Sequence, residues 1–474
     1  MSSLNKDVLF LIFKELQNDS KFLYSCLLFN RTWCERAVLI LLKNPVNVKS
    51  TLFDVILLHL SEESRDILKN IGIDNIITET YRRPLFNYIK FWRYLNLSFI
   101  EKIISSKNNE KSNMSIIRNE ILKLFINGNA KFIHLSFPEF FYHKYHITGT
   151  ECCFTELESF YCRADINQNI LEGLAKTCKS IKELRFYHTN FYTTNFGIIK
   201  LIEVQKNLND ISFYYNSGNK RNKPYKKSLE EPLIKYANTI QYLRIGWEPI
   251  TNIFSYLINL LSLEINLNAY PEEFNNLENL SLPILKFLKT LRVSHKVLAN
   301  LIESTKGHLS EISISYTNDV NYSSNDEKLI QTIYQKCPNL KYLKIPFVAN
   351  FDTLISSEFE NLLVNCQFLN GLIISNYDNF NMVFSWGKLF EILTESSSIN
   401  LSKFKFYSFK IIKLESLELF FDNWKNRNPM SLIISSTYMN AEYKKKLEIL
   451  TKKYKAKGVI KKYFIGYSDN FEWA

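Results

Sequence analysis

The first forty residues alternate apolar and polar positions with a helical period. Five apolar residues share this spacing: Val8, Leu9, Ile12, Phe13 and Leu16. They predict a helix over residues 5–16. Residues 18–20 break the pattern with Asn, Asp and Ser, which are typical helix N-caps, so further helices are predicted over residues 22–29 and 30–42. Three such short helices rarely bury enough apolar surface to be stable alone, and we therefore expect this module to dock on a partner.

A second pattern recurs from about residue 130 onward, with apolar residues at positions i, i+3 and i+5. Three copies follow a cysteine and align without gaps: Cys178/Ile181/Leu184/Phe186, Cys337/Leu340/Leu343/Ile345 and Cys366/Leu369/Leu372/Ile374. Seven more lack the cysteine: Leu157/Phe160/Cys162, Leu208/Ile211/Phe213, Ile240/Leu243/Ile245, Leu260/Leu263/Ile265, Leu288/Leu291/Val293, Leu309/Ile312/Ile314 and Leu401/Phe404/Phe406. The mean spacing is about 27 residues, which is typical of a repeat array.

Each copy predicts one short strand whose alternate apolar residues point into a core. Amphipathic segments lie between the strands and predict helices: Leu171/Leu174/Cys178, Leu229/Leu233/Ala237, Val297/Leu298/Leu301/Ile302, Leu329/Ile330/Ile333 and Phe359/Leu362/Leu363/Cys366. The sequence therefore predicts an α/β solenoid over residues 129–474, with a parallel sheet on the concave side and helices outside. Residues 45–128 are predicted to be a helical connector that joins it to the helical module of residues 1–44.

Composition limits the chemistry that the chain can perform. Its 474 residues include only twelve glycines, and they contain no GxxxxGK[ST], GxGxxG, HExxH or GxSxG motif, so we expect no enzymatic activity and no cofactor. The eight cysteines include no CxxC pair, and there is neither a signal peptide nor a long apolar run. We therefore expect a reducing compartment, the cytoplasm or nucleus, and no membrane partner. The net charge of +12 comes mostly from lysine in a chain of biased composition, so it gives little support for nucleic-acid binding.

The N-terminal pattern resembles the F-box, the helical module that attaches substrate receptors to cullin-RING ubiquitin ligases through a Skp-type adaptor. The resemblance rests on Leu4, Val8-Leu9, Ile12-Phe13, Leu16, Leu23, Ser25-Cys26-Leu27 and Trp33, and covers about a tenth of the chain. Asn5 and Asn30 depart from it, because the family usually has Pro and Cys there. The resemblance implies that seven residues contact the adaptor: Leu4, Val8, Ile12, Phe13, Leu16, Leu27 and Trp33. Some of them must also form the module's own core, and an ordinary helical hairpin docked on its own chain remains the alternative.

Together with the repeats, this module resembles the class of F-box proteins with leucine-rich repeats, here with an irregular repeat. The resemblance implies a non-catalytic substrate receptor of an SCF-type ligase, in which the solenoid holds a target protein while the ligase ubiquitinates it by proximity. The alternative is a leucine-rich-repeat scaffold that lacks ligase coupling, with Asn5 and Asn30 as marks of that loss.

The concave face is the predicted target-binding surface. The residue between the two strand positions of successive repeats is basic in five of nine cases: Arg185, Ser212, Arg244, Glu264, Arg292, Ser313, Lys344, Ile373 and Lys405. Tyrosines flank this row, and the predicted binding residues are Arg185, Arg244, Arg292, Lys344, Lys405, Tyr187, Tyr242 and Tyr342. Such a surface favours an acidic or phosphorylated target. A solvated basic face that reflects the overall lysine excess explains the row equally well.

Two sets of residues raise the question of a metal site. Cys178, Cys337 and Cys366 occupy the same position in different repeats, where core packing is the expected role because cysteine packs as a small apolar residue. His143-x-x-His146 followed by Cys152-Cys153 is a better zinc candidate, but its spacing is not that of paired zinc ligands. The sequence therefore predicts no metal.

Overall fold

A computed structural model describes the chain in segments. They are residues 5–17, 19–41, 57–71, 87–107, 113–126, 130–137, 152–187, 194–214, 222–267, 282–315, 326–347, 353–376 and 384–466. The chain divides into two units, Met1–Tyr214 and Tyr215–Ala474.

The first unit begins with three helices: α1 (Lys6–Glu15), α2 (Ser20–Cys26) and α3 (Arg31–Leu41). Each follows a side chain that caps it. Asn5 Oδ1 accepts from Asp7 N at 3.1 Å, Asp19 Oδ1 from Phe22 N at 3.0 Å, and Asn30 Oδ1 from Trp33 N at 2.9 Å. A cap of this kind is worth about 1 kcal/mol, because it satisfies a backbone donor that the helix leaves unpaired. The three predicted helices are confirmed, and the two positions that depart from the F-box pattern are both helix caps.

The rest of the first unit contains both helices and strands. Its elements are α4 (Glu62–Asn70), a 3-10 helix (Tyr88–Phe91), β1 (Tyr94–Asn96), α5 (Leu97–Lys107), α6 (Met114–Phe125), β2 (His134–Ser136), β3 (Ser159–Arg163), α7 (Gln168–Thr177), β4 (Glu183–Tyr187), α8 (Phe196–Glu203) and β5 (Asp210–Phe213). Successive strands pair in parallel, with Leu135 opposite Phe160, Phe160 opposite Leu184, and Leu184 opposite Ile211. Strand β1 pairs with β2, so the region predicted to be a helical connector already contributes the first strand of this sheet.

The second unit continues the alternation of helix and strand. It comprises α9 (Lys223–Lys235), β6 (Tyr242–Ile245), α10 (Ile253–Tyr256), β7 (Ser262–Asn266), β8 (Phe287–Leu291), α11 (His295–Glu303), β9 (Glu311–Ser315), α12 (Asp326–Lys336), β10 (Tyr342–Phe347), α13 (Thr353–Asn365), β11 (Gly371–Asn376), α14 (Trp386–Ser396), β12 (Lys403–Ser408), α15 (Leu414–Asn423), β13 (Met430–Ser436), α16 (Ala441–Ala456) and β14 (Ile460–Ile465). Every strand pair described in this unit is parallel. The predicted α/β repeat with a parallel sheet is therefore confirmed.

The apolar repeat positions form the core of each unit. In nine of the ten three-residue patterns, the last two residues alternate along a strand and are almost fully buried, as at Leu184 and Phe186 or Leu263 and Ile265. Each such leucine contributes about 1.5–3 kcal/mol by leaving water. Cys178, Cys337 and Cys366 are buried at 0–1% exposure, which confirms that they pack in the core.

One repeat has a different register from the predicted one. The sequence pattern placed Leu291 and Val293 in the core of the sixth of the ten predicted strands, with Arg292 between them. In the structure, β8 instead pairs Leu288 with Leu263 and Thr290 with Ile265, which shifts the repeat by three residues. Thr290 occupies the core position and is 1% exposed. Because its side chain is polar, the apolar sequence pattern did not indicate the correct register.

A set of asparagines joins neighbouring repeats just before the strands. Their side-chain amides donate to the carbonyl of a residue in the preceding repeat: Asn259 to Asn238, Asn339 to Gly307, Asn400 to Gln367, and Asn428 to Ile399, at 2.9–3.1 Å. These bonds satisfy carbonyl groups in the turns that would otherwise depend on water. The asparagine content of the chain therefore has a structural use between repeats.

Candidate protein-docking surfaces

The N-terminal helices share a small apolar core. Its buried residues are Leu9, Phe13, Leu23, Cys26 and Ala37, and Phe22, Leu27, Trp33, Ile40 and Leu41 pack against them. Phe13 lies at its centre with 0% exposure, and its ring meets the Trp33 ring edge-on at 5.3 Å and the Phe22 ring at 6.1 Å. Such aromatic contacts add about 1 kcal/mol each to the burial of the rings. The module therefore packs three capped helices around one phenylalanine.

This core divides the predicted adaptor-binding residues into two groups. Phe13 cannot be a surface contact because it is fully buried, so its prediction as one is corrected: it holds the module together. Leu27 and Trp33 are half-buried and pack on the same core. Leu4 lies outside the described residues.

The other predicted residues form an exposed apolar row on α1. Val8, Ile12 and Leu16 follow one another at four-residue spacing and are 45%, 42% and 36% exposed. Leu28 and Phe29, just after α2, are more exposed still, and the Phe29 ring lies 4.6 Å from that of Trp33. Exposed apolar side chains that recur along one helix are typical of a docking surface. We call Val8, Ile12 and Leu16 the α1 row.

The sheet of the first unit has an open face, where the residues between core positions are half-exposed. Tyr161 and Arg185 lie opposite each other across β3 and β4. The Arg185 guanidinium is stacked 4.8 Å from the centre of the Tyr161 ring, forms an ion pair with Glu183, and approaches Asp210 at 3.7 Å. Arg185 was predicted to bind a target protein. In the structure, two carboxylates and a tyrosine ring of its own unit already contact its guanidinium group.

Burial and these carboxylates shift the titration of nearby groups. Burial first, and the neighbouring Glu183 carboxylate second, together raise the pKa of Asp210 to about 6. His134, on β2, has its pKa lowered to about 4, chiefly by burial, so its imidazole is neutral at physiological pH. Its Nδ1 lies 2.7 Å from Ser159 Oγ, and its ring stacks on Tyr94 at 5.1 Å.

Tyr187, one of the predicted target-binding residues, also lies in the first unit. Its ring stacks on that of Tyr214 at 4.8 Å, so it packs against a second tyrosine.

The second unit carries an open face on β6, β7 and β8. Arg244 donates to Glu264 at 3.0 Å, and Lys289 approaches the other oxygen of the same carboxylate at 3.3 Å. Glu264 thus lies between two cations in one row across three strands. Tyr242 is 39% exposed at the edge of this face. Lys289 was not among the residues predicted for this row, because the polar Thr290 obscured the register of its strand.

Three predicted binding residues do not lie on an open face. Lys344 and Lys405 are 3% and 0% exposed, because β10, β11 and β12 are buried on both sides, and Ile373 between them is also buried. Arg292 follows β8 with a positive φ of 58°, and its Nη1 donates to the Leu267 carbonyl at 3.2 Å instead of projecting from the row. The continuous basic face predicted from the sequence is therefore corrected to two short faces, each carrying cations with carboxylate neighbours. Tyr342, the remaining predicted tyrosine, is half-buried and accepts a hydrogen bond from Lys403 Nζ at 3.3 Å.

The cysteines have the chemistry of core residues. Burial raises the pKa of Cys178 to about 11 and that of Cys366 to about 12, so both are protonated thiols, and Cys178 Sγ donates to the Phe154 carbonyl at 3.0 Å. His143 and His146 lie outside the described residues. Among the residues that the structure describes, no three His, Cys, Asp or Glu side chains are arranged to hold a metal ion.

Comparison with known protein families and with curated proteins finds no match. Over the described ranges, no helix has both the length and the apolar character needed to cross a membrane.

Proposed function

We propose that this chain is the substrate-recognition subunit of an SCF-type ubiquitin ligase. In this proposal the N-terminal helices bind a Skp-type adaptor, the leucine-rich solenoid binds a target protein, and the chain itself performs no catalysis. The α1 row is the observation that carries the proposal. It presents three apolar side chains on a small module whose own core is already complete around Phe13.

The caps of the helices add support. Asn5 and Asn30 were the two departures that suggested a decayed module, yet each accepts a backbone hydrogen bond at the start of its helix. Asparagine is among the best N-cap residues, so both substitutions are compatible with well-formed helices. Helix α3 also packs against the 3-10 helix of residues 88–91, so the module is attached to the unit that contains β1–β5.

The target is proposed to bind the open faces, with Arg185, Tyr161 and Tyr187 on one unit and Arg244, Lys289 and Tyr242 on the other. Because Glu183 and Asp210 surround Arg185 and Glu264 lies between Arg244 and Lys289, these faces are close to neutral. An acidic or phosphorylated target would have to displace carboxylates that are already in place. The charge balance therefore favours a target of mixed polarity whose aromatic and polar groups pack against the tyrosines.

A scaffold without ligase coupling is the second candidate. It is favoured by the internal packing of Phe13, Leu27 and Trp33, because half of the described anchor residues serve the module's own core. In that case the helices would act only as a cap at the start of the repeats.

The experiment that separates the two is a binding assay with a purified Skp-type adaptor. We expect the intact chain to bind, and Ile12→Asp/Leu16→Asp to abolish binding while circular dichroism and thermal unfolding stay unchanged, since both side chains are exposed. Phe13 is left intact, because its substitution would unfold the module and confuse folding with binding.

The control is Leu354→Asp/Leu419→Asp, which makes the same kind of change at two leucines of the second unit that are each 61% exposed, more than Ile12 and Leu16. It should bind the adaptor like the intact chain. A well-folded intact chain that fails to bind the adaptor, or equal loss in both double variants, would contradict the proposal and leave the scaffold.

A further inference from the structure

The positive charge of this protein is concentrated at one end of the chain. Residues 441–466 contain nine lysines and two glutamates, and so account for seven of the twelve net positive charges of the whole chain. The other 448 residues carry only the remaining five. An excess that reflects composition alone would be spread along the sequence, so this segment requires a separate explanation.

The lysines of helix α16 lie on two sides of the helix. Its buried residues are Leu447, Thr451 and Tyr454, and Lys446 and Lys453 lie along one flank of this buried face. Both are neutralised there, Lys446 by Glu442 and Lys453 by Glu418 of α15, each at 2.7 Å.

The remaining lysines lie on the outer side of α16 and on β14. The seventh of them, Lys457, lies 4.7 Å from the centre of the Tyr454 ring at the end of the helix. The other six, Lys444, Lys445, Lys452, Lys455, Lys461 and Lys462, are all exposed, and none of them forms an ion pair with any residue that the structure describes. We call these six the basic face. Lys455 Nζ lies 5.9 Å from the centre of the Tyr463 ring, so one of the helix lysines reaches β14. Glu448, the one carboxylate on this side of α16, lies one helical turn from Lys444 and from Lys452.

The six ammonium groups repel one another, and among the described residues of α16 only Glu448 lies on their side to offset part of that cost. They extend over roughly 17 Å along the helix, from the rise of 1.5 Å per residue, and continue onto the strand. Lys461 lines a pocket together with Lys403, Ser431 and Ile460, whereas the other five lysines do not line it. A partner that engages the whole set is therefore expected to be a chain of closely spaced negative charges.

We propose that the basic face binds the phosphate backbone of a nucleic acid. An exposed ammonium gains less than about 1 kcal/mol from an exposed carboxylate, so a short acidic peptide that pairs with a few of these lysines would gain little. A nucleic acid differs because it carries condensed counterions, and each phosphate that a lysine neutralises releases them. Lysine is a compact charge without the planar fork of arginine, so we expect binding with little sequence preference.

Salt dependence is the measurement that tests this proposal. With a fluorescent 20-base-pair DNA duplex and the full chain, contact with about five phosphates predicts a slope of roughly −4.5 for log K against log salt concentration. Lys445→Gln/Lys452→Gln should make this slope shallower by about 2 and weaken binding roughly tenfold at 100 mM salt. The α1 row plays no part in this assay.

The chain offers a control with the same residue type, the same number of charges and the same spacing. Lys446→Gln/Lys453→Gln removes the same two charges, seven residues apart on the same helix, from the side already neutralised by Glu442 and Glu418. It should leave both slope and affinity within about twofold of the intact chain.

Three outcomes would overturn the proposal: no binding of the duplex or of a single-stranded 20-mer at 50 mM salt, equal losses in the two double variants, or tighter binding of polyglutamate or of phosphatidylserine vesicles than of the duplex. Unchanged thermal unfolding of both variants shows that the fold is intact.

Discussion

Glu230 of α9 is a buried carboxylate that holds the connection between β6 and α10. It is 1% exposed. One of its oxygens accepts from Trp247 Nε1 at 2.8 Å and Ile250 N at 2.9 Å, and the other accepts from Thr251 N at 2.7 Å and Thr251 Oγ1 at 2.5 Å. Two backbone donors of the turn therefore depend on this side chain.

Glu230→Gln keeps the size of the side chain but leaves one accepting oxygen. Its new amide nitrogen must face either Trp247 Nε1 and Ile250 N or the backbone donor of Thr251, and a donor facing a donor satisfies neither. Hydrogen bonds to a charged group contribute about 1.5–3 kcal/mol each, and a buried donor left unsatisfied costs a similar amount. With at least one such bond lost and a second weakened, we expect unfolding free energy to fall by roughly 3 kcal/mol.

Urea denaturation followed by tryptophan fluorescence measures this loss, and hydrogen exchange at residues 247–252 locates it. Glu231→Gln is the matched control, because Glu231 is the next residue, is 61% exposed, and lies 4.0 Å from Lys227. That variant should change stability by less than about 0.5 kcal/mol. If Glu230→Gln lost no more than the control, the carboxylate would not be what holds this turn.

Three further substitutions test polar groups that are buried or half-buried. Asp210→Asn should stabilise the first unit by about 1–2 kcal/mol at pH 7.5, because the folded pKa of about 6 lies above the usual 3.8 and ionisation therefore penalises the folded state. This gain should disappear as the pH falls toward 4, where the native carboxyl is protonated, and a loss of stability at pH 7.5 would refute the sign. Thr290→Val should stabilise by about 1 kcal/mol, since Thr290 Oγ1 is buried without a hydrogen-bond partner in the described structure. Thr451→Val should instead destabilise in the same chemical denaturation assay, because Thr451 Oγ1 donates to the Leu447 carbonyl at 2.9 Å; a gain there would contradict this account.

Local patterns in the sequence predicted the elements well wherever a single periodicity dominated. The apolar spacing of α1 and the Asp19 cap identified the first helices, and the i, i+3, i+5 pattern identified the strands from β3 to β12, apart from β8. The pattern did not predict β13 and β14. These features depend on residues a few positions apart, whose relative directions the backbone geometry fixes. The short strand β1 was missed because three residues give too little pattern to distinguish it from the helices around it.

Register was harder to predict where a polar residue occupies a core position. In β8, Thr290 occupies the core position that an aliphatic residue takes in the other repeats. Val293, three residues later, is aliphatic and therefore fitted the sequence pattern at the wrong register. Only pairing with β7, where Leu288 lies opposite Leu263, decides between the two registers. That choice moved Arg292 off the predicted surface and placed Lys289 on it.

By itself, the sequence determined that this chain has a helical start and a long repeat of parallel strands and helices, because those follow from local periodicity. It also placed the cysteines in the core, since identical repeat positions share one environment. Tertiary structure alone decided that Phe13 is internal while Ile12 is exposed, that Lys344 and Lys405 are buried, and that Arg185 already has carboxylate neighbours. These outcomes depend on residues distant in sequence, which determine whether a side chain that points away from the core reaches water, a neighbouring strand or a buried surface.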